Sequence, residues 1–229
     1  MTHDVARPAR SLSLVCALAA LLLTAPGVAA QAPPVSDSAA LAQLHFRFVG
    51  PAGNRVSSIA GVPGDPSTVY TGSADGGIWK TTDGGRDWKP VFDDQDVSPV
   101  GALAVAPSAH NEVWAGTGET WLIRPYYAMG DGIYESTDGG RSWSHMGLEK
   151  TGHIGRIIVD PHDPDRVFAC ALGQAFAPSG DQGVYRTLDG GKTWKKVLFV
   201  NDSTGCSELS MDAHDPNTLF AGMWQVQIR

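Results

Sequence analysis

The sequence predicts an all-β chain made from one four-stranded antiparallel unit repeated along its length. Three observations carry this expectation: a recurring octet, short apolar runs that alternate with a period of two, and the same order of runs around every octet. The octet sits in "KTTDGGRDW" at residues 80–88, and returns as "STDGGRSW" at 136–143 and "TLDGGKTW" at 187–194. Its aspartate falls at Asp83, Asp138 and Asp189, roughly fifty residues apart, a period that marks solenoids and propellers. Chemistry usually needs one site, so three equivalent copies favour architecture.

Each part of the octet has a physical task. The glycine pair, whose second members are Gly85, Gly140 and Gly191, supplies the positive φ of a tight hairpin turn. The aspartate can accept hydrogen bonds from turn amides, and this reading is preferred to a catalytic one. Trp88, Trp143 and Trp194 follow the turn, where the ring can be buried against a neighbouring unit while its N–H reaches a carbonyl.

The remaining strands fall into line when the repeats are superposed. The first strand of each unit is "VSSIAGVP", "VGALAVAP", "IGRIIVDP" and "CSELSMDA". A turn follows, "GDPST", "SAHNE", "HDPDR" or "HDPNT", and then the second strand, "VYTGS", "VWAGT", "VFACA" or "LFAGM". The third strand, "GGIWKT", "DGIYES" or "QGVYRT", leads through the octet into the fourth. Four antiparallel strands per unit, repeated, make the blades of a β-propeller. The blades span about 56–92, 100–147 and 154–198, with an incomplete fourth at 206–229 that has no octet. About three and a half blades leave the ring incomplete, and a propeller protects its edges by closing, so the rest is expected from sequence beyond residue 229.

Residues 1–30 read as a signal peptide: Arg7 and Arg10, then the apolar run "LSLVCALAALLL", then small residues with cleavage expected after Ala30. That run is too short to remain as a membrane span. Residues 31–44 read as a flexible leader, and 45–229 as the partial propeller. The expected location is therefore secreted or periplasmic. The formal net charge is −7, which argues against nucleic acid and anionic membranes as partners. Beyond the signal peptide the only cysteines are Cys170 and Cys206, either a disulfide suited to an exported protein or a pair of buried thiols.

Function is expected where the copies differ. Units 2 and 3 carry longer loops between their second and third strands, "GETWLIRPYYAMGD" and "GQAFAPSGDQ". They bring Glu119, Trp121, Arg124, Tyr126, Tyr127 and Phe176 to one face, which suits a glycan or an extended peptide; the alternative is that the aromatics pack the loop shut. In the first strands, Ser58, Ala102, Arg156 and Glu208 are equivalent, so opposite charges stand on adjacent blades. That pair reads as a polar-ligand site at the channel mouth or as a structural salt bridge. The "HDP" tripeptides at 162–164 and 214–216 read as turns before metal ligands, "DDQD" at 93–96 reads as a solvated connection, and no metal or cofactor is expected.

The octet resembles the Asp-box, or BNR, repeat of sialidases, xyloglucanases and sortilin-type propellers, with Asp87 of the first copy departing from the family's preferred hydroxyl. Residues 45–229 as a whole resemble exported bacterial proteins described as sortilin N-terminal-like or BNR-repeat glycosyl hydrolases. Such propellers include binders and enzymes alike, so the resemblance implies a carbohydrate, peptide or protein ligand without fixing the activity. A sialidase reading would use Arg47 in "FRFVGP", which lacks the family's Arg-Ile-Pro. A xyloglucanase reading makes Asp75 the candidate acid, one residue from the best-matched position, Ala74. Asp75 also reads as a plain turn residue before Gly76, and a glycosidase's second carboxylate would have to lie past residue 229.

Overall fold

The computed structural model describes residues 42, 55–120, 128–174, 176–212 and 214–225. By its contacts the chain divides into two units, Met1–Arg47 and Phe48–Arg229, and of the first only Ala42, an exposed turn residue, is described. The expected signal peptide, the leader apart from Ala42, and Arg47 lie outside the described residues.

The second unit is all-β. Blade 1 runs β1 (Val56–Val62), β2 (Asp65–Ser73), β3 (Ile78–Thr81) and β4 (Lys89–Pro90); blade 2 runs β5 (Val100–Ala106), β6 (Ala109–Thr117), β7 (Ile133–Ser136) and β8 (Ser144–His145). Blade 3 runs β9 (Ile154–Val159), β10 (Val167–Ala171), β11 (Gly183–Thr187) and β12 (Lys195–Leu198), and among the described residues the fourth sheet holds β13 (Thr204–Met211) and β14 (Leu219–Gln225). Strands pair in chain order within each sheet, every pair antiparallel. The innermost strands β1, β5, β9 and β13 stand side by side. This is a β-propeller whose ring is not closed. In blades 1 and 2 the second strand starts earlier than the turn motifs suggest, because Val62 pairs with Asp65 and Ala106 with Ala109, confining each turn to two residues.

The octets are built alike. Gly84 and Gly85 adopt φ of 73° and 87°, Gly139 and Gly140 repeat 73° and 87°, and Gly190 and Gly191 take 64° and 79°. These values lie in the left-handed region that a side chain with Cβ resists. Inside the turn, Asp138 Oδ1 accepts the amides of Arg141 and Ser142 at 2.9 Å each, and Ser136 Oγ accepts Gly140 N at 2.8 Å. Asp83 Oδ1 likewise accepts the amides of Arg86 and Asp87, Asp189 Oδ1 accepts that of Thr193, and Thr81 and Thr187 take the place of the serine. Hydrogen bonds to the ionised form hold all three carboxyls below the usual range, led by Asp87 N at Asp83, by the Ser142 hydroxyl at Asp138 and by the Thr193 hydroxyl at Asp189, where the value falls to about 2.

The tryptophans stitch blades together. Trp143 donates its indole N–H to Val91 O of blade 1 at 2.7 Å, and Trp194 donates to Met146 O of blade 2 at 2.8 Å. Each ring also meets an aromatic of the preceding blade edge-on, Trp143 with Phe92 at 5.3 Å and Trp194 with Trp114 at 6.3 Å. The rings are half-buried rather than buried, because the fourth strands they cover are only two residues long in blades 1 and 2. Trp88, with no earlier blade among the described residues, has a buried N–H without an acceptor there.

Behind these stitches lie three apolar seams. Tyr70, Ile78 and Phe92 meet Val105, Val113 and Tyr134; Trp114 and Ile133 meet Ile157, Val159 and Tyr185; Phe168 and Val184 meet Leu209, Met211 and Leu219. The last seam also contains a disulfide between Cys170 and Cys206, joining the second strand of blade 3 to the first strand of the fourth sheet. It closes a loop with a sequence separation of 36 residues. Reduction, or Cys206→Ser with Cys170→Ser, is expected to lower stability by about 4 kcal/mol, the loop-entropy magnitude for a closure of this size. Denaturant melts with and without reductant measure it.

Candidate functional site

The concave side of the innermost strands forms a groove of about 520 Å³. The sequence builds it from small residues: Ser57 and Ser58 on β1, Gly101 and Ala102 on β5, Gly155 on β9 and Ser207 on β13 line it. Small side chains here let the strands approach; a Cβ on Gly116, behind the groove, would strike Ile154 of the next blade. Longer groups project from two adjacent strands. Arg156 Nε lies 3.4 Å from Glu208 Oε1, and both side chains are more than half exposed, at 51% and 64%. Ile59, Leu103, Thr120 and Trp224 complete the lining, with Trp224 48% exposed.

An exposed pair of this kind contributes little to stability because water screens it. Its value is chemical. A guanidinium donor, a carboxylate acceptor, four hydroxyls and an indole surround one space, a set matched to a polyhydroxylated ligand with an apolar ring face. The repeats make Arg156 and Glu208 equivalent, whereas nothing in the repeat pattern marks Ser57, Thr120 or Trp224. Trp224 follows the last aligned residue of the second strand, where no other blade has an aromatic.

The expected loop surface is revised at one residue. Glu119 is 1% exposed, ion-paired to Arg55 of blade 1, and does not lie open to a ligand. The cause is local closure of the loop: Glu119 N donates to Ala128 O at 2.8 Å, Gly118 N to Pro99 O at 2.9 Å, and Gly130 N to Gly152 O at 2.8 Å. These bonds turn the base of the insertion inward, so its first charged residue joins neighbouring blades. Trp121, Arg124, Tyr126 and Tyr127 lie outside the described residues. Phe176, on the blade 3 loop, is 57% exposed. Asp75 sits on an exposed bend after β2 and does not line the groove, while Ala74 beside it is buried.

A second cluster, absent from the sequence reading, lies between blades 2 and 3. Glu135 on β7 pairs across the strand with Trp114, whose indole N–H donates to Glu112 Oε1 at 2.9 Å. Burial, then the negative charges of Glu112 and Asp165, push the Glu135 carboxyl up to about 7, with Lys192 opposing. Burial likewise raises Glu112. Among the described residues no group of three or more His, Cys, Asp or Glu side chains is placed to hold a metal ion.

No family model matches the chain. It is 27% identical over 188 residues to a probable oligoxyloglucan-reducing end-specific xyloglucanase of Neosartorya fischeri, an alignment covering 78% of this chain and 22% of that protein. It is 29% identical over 155 residues to a xyloglucanase of Acetivibrio thermocellus, covering 59% and 16%. The chain thus spans about a fifth of the length of these relatives. Among solved structures, an ancestral GH74 enzyme superposes with a TM-score of 0.62 at 20% identity, over 79% of this chain and 23% of its own. YCF48 bound to D1 peptide superposes at 0.51 and 19% identity, over 74% and 50%. These superpositions support the propeller fold.

Two stability effects follow. Glu119→Gln is expected to cost about 2 kcal/mol in a denaturant melt, less than a fully buried pair would, since Arg55 is 35% exposed and can turn to water. Glu135 holds its proton more tightly folded than unfolded, its pKa being about 7 against an ordinary 4.5. Its contribution is therefore fully present below pH 4.5 and lost as pH rises to about 7. Melting temperature measured across that window should fall less in Glu135→Gln than in the parent.

Proposed function

We propose that this chain is the carbohydrate-binding part of an exported propeller protein, with the groove along β1, β5, β9 and β13 as its ligand site. The observation that carries this is the half-exposed Arg156–Glu208 pair beside an exposed indole, Trp224, in a space of about 520 Å³. A sugar ring fits each feature. Vicinal hydroxyls can accept from the guanidinium and donate to the carboxylate, while the C–H face lies on the indole. The xyloglucanase relatives support the same ligand class. Export is supported by the charged and apolar pattern of residues 1–30 and by the Cys170–Cys206 disulfide, which suits an oxidising compartment.

Binding is preferred to hydrolysis by this part of the protein. Cleaving a glycoside needs two carboxyls flanking the bond, one of them free to protonate the leaving oxygen. The groove offers Glu208, already engaged by Arg156, and Asp75 stands on a bend away from it. Affinity for neutral glucans and xyloglucan fragments, measured by calorimetry, is expected to fall about tenfold in Arg156→Ala and at least as much in Trp224→Ala, with melting curves nearly unchanged. Parental affinity in both variants would remove the groove from consideration. Hydrolysis of the same glucans by the parent, lost in Asp75→Asn, would favour the enzyme reading.

A further inference from the structure

Every inner strand carries the same irregularity. One extra residue, Ser57, Gly101, Gly155 or Ser207, bulges near the start of β1, β5, β9 and β13. A bulge re-aims the side chain that follows it, here Ser58, Ala102, Arg156 and Glu208, and all four line the groove. Across each sheet these residues pair with Gly72, Gly116, Cys170 and Gly222.

At two interfaces the glycine is a seat for the next blade. A Cβ on Gly72 would strike Val100, and one on Gly116 would strike Ile154, so a branched side chain packs directly on bare backbone. Cys170 and Cys206 hold the two corresponding places between blade 3 and the fourth sheet, where a disulfide replaces the apolar contact. It joins Cα atoms 5.0 Å apart, and each cysteine marks the register shift of its own strand pair. Beside it β9 and β13 approach so closely that a Cβ on Gly155 would stand 3.0 Å from Ser207 O. Among the described residues this is the one interface where both re-aimed residues are charged. Arg156 and Glu208 cannot set their own alignment, because a pair so exposed is screened by water.

We propose, resting on the groove as the ligand site, that Cys170 and Cys206 are positioning residues for it. The disulfide fixes the spacing of the two bulges, and so holds guanidinium and carboxylate where one sugar diol can accept from the first and donate to the second. A pair aligned before the ligand arrives removes part of the ordering cost of binding.

Cys170→Gly with Cys206→Val installs the seat of the first interface, which removes the bond and keeps an apolar seam. Affinity for a xyloglucan oligosaccharide, measured by calorimetry on protein that a melt shows to be folded, should fall about tenfold in this variant. Adding Arg156→Ala should then cost less than about twofold more, while adding Trp224→Ala keeps its full effect of about tenfold. A bond that only stabilised the fold would leave the Arg156→Ala effect undiminished. NMR relaxation of the Arg156 Nε–H group needs no ligand: it should report an ordered side chain in the parent and a mobile one both in the double variant and in Glu208→Gln. Unchanged affinity, an undiminished Arg156→Ala effect, or equal order at Arg156 with and without the disulfide would each overturn the positioning role. Failure of the parent to bind any sugar would instead remove the carbohydrate reading, and the Arg156 comparison would still decide what the disulfide does. Where the Gly and Val variant proves unfolded, Cys170→Ala with Cys206→Ala replaces it in every measurement.

Discussion

The fold rests on a hydrogen bond that runs backwards: an octet tryptophan gives its N–H to the carbonyl just past the fourth strand of the blade before it. A four-stranded sheet of this size cannot bury both of its faces alone, so each blade depends on its neighbours. The indole joins the two needs in one group. Its ring covers apolar side chains at the outer end of the seam, and its N–H satisfies the carbonyl that follows a short edge strand. The turn that aims it is fixed by two glycines in the left-handed region and by an aspartate collecting amides. Loss of turn geometry would therefore be felt between blades before it was felt within one.

Inward of the stitches, the seams set what the inner strands can carry. Close approach there demands glycine, alanine and serine, which is why most of the groove is lined by small residues. Two long charged side chains on β9 and β13 are exceptions to that rule, and they occur as neighbours of opposite sign. Packing has no need of them, since the blade 3 seam is filled by Phe168, Val184 and Leu209 and cross-linked by a disulfide. Residues that neither fill a seam nor satisfy a turn are the ones available for a ligand.

The repeat made most of the fold legible. The octet spacing, the order of strands and the incomplete fourth unit all follow from self-similarity, because each copy obeys the same local turn chemistry. The same comparison put Arg156 beside Glu208. It could not foresee Glu119, since a carboxylate in an inserted loop reads as solvated, and only the backbone bonds at the base of that loop carry it inward to Arg55. Nor could it foresee the raised Glu135, whose neighbours Glu112 and Asp165 come from a different strand and a different blade. Trp224 was hidden for the opposite reason, standing where the other repeats offer nothing to align with.

Repeat comparison recovers what every blade must have and is blind to contacts made once, between one blade and the next. Seams and turns belong to the first kind; the Arg55 pair, the acidic group under Trp114 and the indole over the groove belong to the second. In this propeller the repeated contacts account for folding, so the ligand site should be composed of single occurrences. The groove meets that condition: its charged pair and its tryptophan have no counterpart in blades 1 and 2, where Ser58 and Ala102 stand in the equivalent places.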